Sequence, residues 1–363
     1  MPISRMPISR RLPAAIAALV ASTLLLAGCG TVTPEGAADA ETITVTDDQD
    51  REVTINGPVE RAVVLNSYGN EFVRAIGAGD TVVGVDRASI NRLPYLPVDE
   101  NDVIAEGLDQ INYEAVAELD PDVVIMPRNA VWQEAAEQLE SFGIPVVVAT
   151  AWDYAVFDET VSLLGQVFQK EEGAKAVTDF SNEILDVVAE RTEGVEPVPV
   201  YWETVDPYLT VLPGSGFHAI IEAAGGSNVF ENAAGGGDEQ EEITVDPAEV
   251  VTRNPAVIVH EFEPSATPTG QERFDTLGAE VTSRPGWSNI DAIKNGEVYL
   301  ANGWAMSAVA KSIGALYLAK WLHPEEFADV NPDEFLERWV VDFQQTDFPG
   351  ASEYIQQYQA GAE

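Results

Sequence analysis

The chain has 363 residues, 45% hydrophobic and 22% charged, a globular composition long enough for two domains. Its 61 acidic residues against 19 basic give a formal net charge of −42, which excludes nucleic acid and anionic membrane surfaces as main partners because both repel such a field. The single cysteine excludes an intramolecular disulfide and any Cys-based zinc or iron–sulfur site. Lysine is scarce, and an acid excess of this kind suits high external salt, where the repulsion is screened.

At the N-terminus, Arg5, Arg10 and Arg11 precede a short apolar run over residues 12–26, which ends in Leu26-Ala27-Gly28-Cys29. That is the layout of a secretory signal, and the run is short for a membrane span. Leu-Ala-Gly-Cys resembles the lipobox of prokaryotic lipoproteins. The resemblance implies that residues 1–28 are a signal peptide and that Cys29 becomes the lipid-bearing first residue. Losing three arginines and no acid moves the charge from −42 to −45. Residues 29–41 read as a flexible tether. The body is expected outside the cytoplasm, held to the outer face of the cell membrane only through the lipid on Cys29.

Continuous apolar runs at 62–66, 81–85, 122–126 and 144–149 predict strands buried on both faces. Helical patterns at 71–76, 114–119 and 133–142 fall between them. A second set of strands is predicted at 198–202, 256–260 and 297–301. The halves echo each other: residues 114–125 and 249–258 each read as a short helix, an Asp-Pro or Asn-Pro break and a buried strand. Between the halves, Ala174, Val177, Phe180, Ile184, Val187 and Val188 recur at helical spacing, with Gly194 and Pro197 beyond. The expected fold is therefore α/β: two similar lobes, each a mainly parallel sheet flanked by helices, joined by one long helix. The expected divisions are an N-terminal lobe at 42–170, the helix at 171–193, a C-terminal lobe with terminal helices at 194–345, and a tail at 346–363.

Catalytic motifs are lacking. Gly214-Ser215-Gly216 does not have the spacing of a nucleophile elbow, and Gly235-Gly236-Gly237 lacks the Lys-Ser/Thr of a phosphate loop. The acidic run 238–242 reads as a solvated loop. His218, His260 and His323 have no helical ligand spacing, and His323 precedes Pro324 in an expected surface turn. No metal site and no cofactor of the protein's own is expected, and the chain does not read as an enzyme.

Six segments carry a family resemblance: 58–65, 75–85, 119–125, 143–147, 224–230 and 284–299. In this order, around a long helix, they resemble the substrate-binding lipoproteins of ABC importers for iron–siderophores and cobalamin. The resemblance implies a monomeric bilobed protein that captures a ferric siderophore or similar metal chelate between its lobes and hands it to an importer permease. Cobalamin or haem binding by the same fold is the alternative; free metal ions or extracellular enzyme chemistry rank lower. It also implies an acidic residue on each lobe that docks on the permease. Glu114 matches that position in the first lobe. In the second the matching position is Ala248; Glu249 next to it and Asp246 two residues before it are the two substitutes, of which Glu249 is assigned the role, although Glu114 and Glu249 also suit a helix N-terminus on electrostatic grounds alone.

Ligands of open α/β sheets bind beyond the carboxyl ends of the strands. The residues after each predicted strand supply the candidates: Tyr68, Arg87, Arg128 and Trp152 from the first lobe, and Trp202, Tyr208, Phe262 and Trp304 from the second. Arginines pair with anionic groups and aromatics supply apolar walls with a polar edge, which suits a bulky, partly anionic chelate.

Overall fold

The computed structural model describes residues 42–233 and 240–359, so the expected signal peptide, Cys29 and the tether lie outside the described residues. An antiparallel hairpin, β1 (Thr42–Thr46) and β2 (Glu52–Asn56), opens the body. Asp47 in its turn accepts from the Arg51 guanidinium and from the backbone N–H of Val148, 3.1 Å away, which ties the hairpin to the first sheet.

That sheet is built from β3 (Ala62–Val64), β4 (Val82–Asp86), β5 (Val103–Gly107), β6 (Gln110–Ile111), β7 (Val123–Met126) and β8 (Val146–Val148). The order is β6-β5-β4-β3-β7-β8, parallel except for the β5–β6 pair. Strands β3, β7 and β8 are buried along their whole length, which is why they read as unbroken apolar runs.

The second sheet contains β9 (Val198–Glu203), β10 (Leu209–Val211), β11 (Gly226–Asn228), β12 (Glu242–Thr244), β13 (Val257–Phe262), β14 (Val298–Asn302) and β15 (Ile355–Gln357). Its order is β12-β10-β9-β13-β14-β15, with β11 alongside β9. The β9, β13 and β14 core is parallel, while β10 pairs antiparallel with β9, β12 antiparallel with β10, and β15 antiparallel with β14. Two expectations change here. Residues from 346 do not form a tail: Tyr354 is buried and β15 pairs with β14. His323 is not in a surface turn; it is buried with Nε2 3.0 Å from the Gly225 carbonyl.

The helix Glu171–Thr192 joins the lobes; its 22 residues span about 33 Å. Ala174, Val177, Phe180, Ile184 and Val188 form its buried stripe, and burying each of the larger ones contributes about 1.5–3 kcal/mol. Gly173 lets it meet the first lobe, since a Cβ there would lie 2.2 Å from the Ile76 carbonyl oxygen. The long helix is not the only bar. The helix Pro332–Arg338 and the π-helical turn Trp339–Phe343 lay Phe335 and Phe343 on Phe180, and Arg338 grips Glu183 with two bonds of 2.8 and 2.9 Å. From there Trp339 Nε1 donates to Glu71 in the first lobe (2.9 Å), and Arg74 Nε donates to the Gln344 carbonyl (2.6 Å). One hydrophobic core therefore runs from Phe72 through Phe180 to Trp202 and Leu316.

Candidate functional site

Both sheets present the carboxyl ends of their parallel strands to the space between the lobes. After β3, Asn66 caps the helix Ser67–Ala75 by accepting from Gly69 N, and this fixes Tyr68 in the first turn. After β4, the short helix Arg87–Arg92 ends on Arg92, whose guanidinium lies 4.2 Å from the Tyr68 ring centroid. From the second lobe, β13 delivers Glu261 and Phe262, and β14 delivers Asn302. Asn302 caps the following helix through Trp304 N and donates to the Ser265 carbonyl. Together these residues line a cleft of about 960 Å³, with Ser67, Tyr68 and Arg92 on one wall and Glu261, Phe262 and Asn302 on the other. Tyr68 also borders a narrower cavity of about 150 Å³ whose lining includes Arg128, Trp152, Asp153, Glu241, Glu242 and Lys311. Its hydroxyl donates across the lobes to Ser307 Oγ at 3.2 Å.

Charge in this space is unevenly compensated. Glu261 is buried and, among the described residues, accepts a single hydrogen bond, from Trp202 Nε1 at 3.1 Å; burial pushes its carboxyl up to about 7. For Tyr68, burial acts to raise the phenol, but the positive charges of Arg92 and Lys311 outweigh it and lower it. Lys311 arrives through an unusual turn. Val309, Ala310 and Lys311 have φ of 45°, 44° and 82°, three consecutive non-glycine residues in the left-handed region, each costing about 1–3 kcal/mol. Gly216 leaves the room for it, since a Cβ there would sit 2.7 Å from Lys311 Cε.

The eight residues expected at the cleft divide. Tyr68 and Phe262 line the large cleft, and Arg128 and Trp152 line the narrow cavity. Trp202 lies beneath, fully buried, stacked on Phe217 at 4.9 Å and holding Glu261. Arg87, Tyr208 and Trp304 line neither cavity. Arg87 is drawn to the acids of its own lobe, bonding Glu106 twice at 3.0 Å and also pairing with Glu100. Tyr208 packs on Trp287 and Arg284 inside the second lobe, and Trp304 is buried against Tyr354. Arg128 is itself engaged, 2.6 Å from Asp153. Strand placement alone did not single out Arg92, Ser307 or Lys311. Arg92 stands five residues past Arg87 on another face of the same helix, and Lys311 depends on a turn for which no glycine gives a cue.

Glu114 and Glu249 occupy equivalent places, each exposed in the first turn of a helix that precedes a parallel strand. Glu249 also reaches Arg253 at 3.3 Å. All three histidines are buried within the lobes: His218 bonds Asn228, His323 bonds the Gly225 carbonyl, and His260 Nδ1 lies 3.0 Å from Glu203. Among the described residues no group of three or more His, Cys, Asp or Glu side chains is placed to hold a metal ion, and no helix is long and apolar enough to cross a membrane.

Residues 63–303 match the model of the periplasmic binding protein family. The molybdate-binding protein MolA of Haemophilus influenzae is 27% identical over 339 residues, covering 84% of this chain and 91% of MolA. Its molybdate-bound structure has a TM-score of 0.70 at 24% identity, covering 85% of this chain and 99% of that one. A cobalamin-binding protein of Halobacterium salinarum is 29% identical over 269 residues, 72% of this chain and 68% of its own. An uncharacterized ABC transporter substrate-binding lipoprotein of Bacillus subtilis, YvrC, is 24% identical over 329 residues, 86% of this chain and 98% of its own. With two α/β lobes, strand tips turned toward a shared cleft and the family match spanning both, the chain belongs to the periplasmic binding protein family of ABC importers.

Proposed function

We propose that the protein is a lipid-anchored solute-binding protein that captures a ferric siderophore or similar metal chelate between its lobes and delivers it to an ABC importer permease. The observation that carries this reading is the cleft of about 960 Å³ walled by both lobes, a volume suited to a drug-sized ligand and far larger than a bare ion needs. Cys29 within Leu-Ala-Gly-Cys supports the lipid anchor, as does the likeness to a substrate-binding lipoprotein. Cobalamin or haem is the second reading, favoured by the relative named for cobalamin binding. Glu114 and Glu249 dock on the permease. The test is a tryptophan-fluorescence titration of the mature domain with ferric siderophores, haem and cobalamin. Saturable 1:1 binding of a ferric chelate is expected; saturation by cobalamin or haem alone would move the assignment to the second reading. Glu114→Arg is expected to abolish uptake while leaving affinity in solution unchanged, because it reverses charge at the docking step only. Equal losses of both would place Glu114 in the ligand site.

A further inference from the structure

Two cations meet at Tyr68, and neither has a carboxylate within ion-pair distance among the described residues, although Glu241 and Glu242 line the narrow cavity with Lys311. Arg92 is 6% exposed, and its guanidinium makes no hydrogen bond and no ion pair among the described residues; its Nε and Nη2 are buried and unsatisfied. Lys311 is 4% exposed, and among the described residues its ammonium group makes one hydrogen bond, to the Trp152 carbonyl at 2.8 Å. Both lie within 6 Å of the Tyr68 ring centroid, at 4.2 and 5.6 Å. Glu71 and Glu261 face Arg92, but from beyond ion-pair distance.

This is informative in a chain with 61 acidic residues. Arg87, Arg128, Arg191, Arg284 and Arg338 each have a carboxylate within 4 Å. A buried guanidinium left unpaired is costly, so its persistence at a cleft wall points to a partner from outside the chain. We propose that Arg92 and Lys311 form a two-cation anchor, one on each side of the division that Tyr68 makes between the cavities, for the anionic oxygens of the transported ligand. Arg92 supplies a planar fork of donors and Lys311 a compact second charge. The shared chemistry is a cluster of anionic oxygens, from either a free oxyanion or the oxygen edge of an anionic chelate. The inference rests on the solute-binding reading above and adds the charge class of the solute.

The test measures affinities of the mature domain for sodium molybdate, ferric tris-catecholate and the neutral probe cyanocobalamin, in the wild type and in Arg92→Gln and Lys311→Met. Thermal melting confirms folding, and Arg92→Lys keeps the charge should Arg92→Gln fail to fold. At least one anionic probe is expected to bind the wild type and to lose tenfold or more in affinity in each neutral variant, with Arg92→Lys losing less. Molybdate binding identifies a free oxyanion; binding of the tris-catecholate alone identifies an anionic chelate. Anion binding unchanged in the folded variants, or lost in only one of them, overturns the anchor. Binding of cyanocobalamin alone overturns the anchor and leaves the solute-binding reading standing, whereas binding of none of the three contradicts both.

Discussion

Two buried glutamates at the tips of neighbouring strands have opposite surroundings. Glu203 ends β9 and Glu261 stands near the end of β13, where His260 pairs in register with Glu203. Because successive side chains of a strand point to opposite faces, Glu203 and His260 share one face while Trp202 and Glu261 share the other. On the interior face, Glu203 receives two bonds of 2.7 Å from Arg284, one from Tyr201 and one from Tyr208 N, and His260 Nδ1 lies 3.0 Å away. Burial works to raise its carboxyl, yet the His260 and Arg284 interactions outweigh it and bring it to about 2. On the cleft face, Glu261 has only the Trp202 bond among the described residues, and burial takes it to about 7. The difference separates scaffold from site: a closed ion cluster stiffens the lobe, and an open one leaves charge for a ligand to meet.

The largest test of this contrast is stability. Glu203→Ala strands Arg284 and His260 in the interior and is expected to cost about 3–5 kcal/mol in urea denaturation. At pH 5, where Glu261 is still protonated in the fold, Glu261→Gln keeps an acceptor for Trp202 and is expected to cost no more than about 1 kcal/mol. Equal losses would break the comparison. The two carboxyls also oppose each other in pH. Glu203 lies below the ordinary value of 4.5, so its contribution is present above that pH and is lost as pH falls toward about 2. Glu261 lies above it, so the folded state loses ground as pH rises from 4.5 through about 7, by on the order of 3 kcal/mol. A stability profile over pH 2–8 is expected to slope at both ends, and Glu261→Gln to flatten the upper slope alone. The smallest effect concerns the ligand. Among the described residues, Arg92, Lys311 and Glu242 are charged groups that face Glu261. As Glu261 ionises it competes for the two cations, so affinity for an anionic probe is expected to fall about tenfold between pH 6 and 8 and to be nearly flat in Glu261→Gln.

The parallel cores and the long helix were legible in the residue pattern because strands covered on both faces must be apolar throughout and a one-sided helix must be periodic. The edges were not. The β1–β2 hairpin, β10, β12 and β15 are short, and their mixed polar residues resemble loops. At the site, the strand-tip rule leads to Tyr68, Arg128, Trp152 and Phe262 but does not say which arginine is already paired. Arg128 meets Asp153, 25 residues onward, and Arg87 meets Glu100 and Glu106. Arg92 and Lys311, which have no ion pair among the described residues, owe their positions to a helix face and a left-handed turn that periodicity does not encode.

The central claim is that the ligand sits between the lobes, and Ala88 tests it directly. Ala88 is exposed on the helix Arg87–Arg92 and lines the large cleft, so Ala88→Trp fills the cleft without entering the core. Calorimetric titration of wild type and variant with whichever of ferric tris-catecholate, molybdate and cyanocobalamin binds the wild type is expected to give 1:1 binding that weakens at least tenfold in Ala88→Trp, at an unchanged melting temperature. Equal affinity in the two proteins would contradict the account and place the ligand outside the cleft.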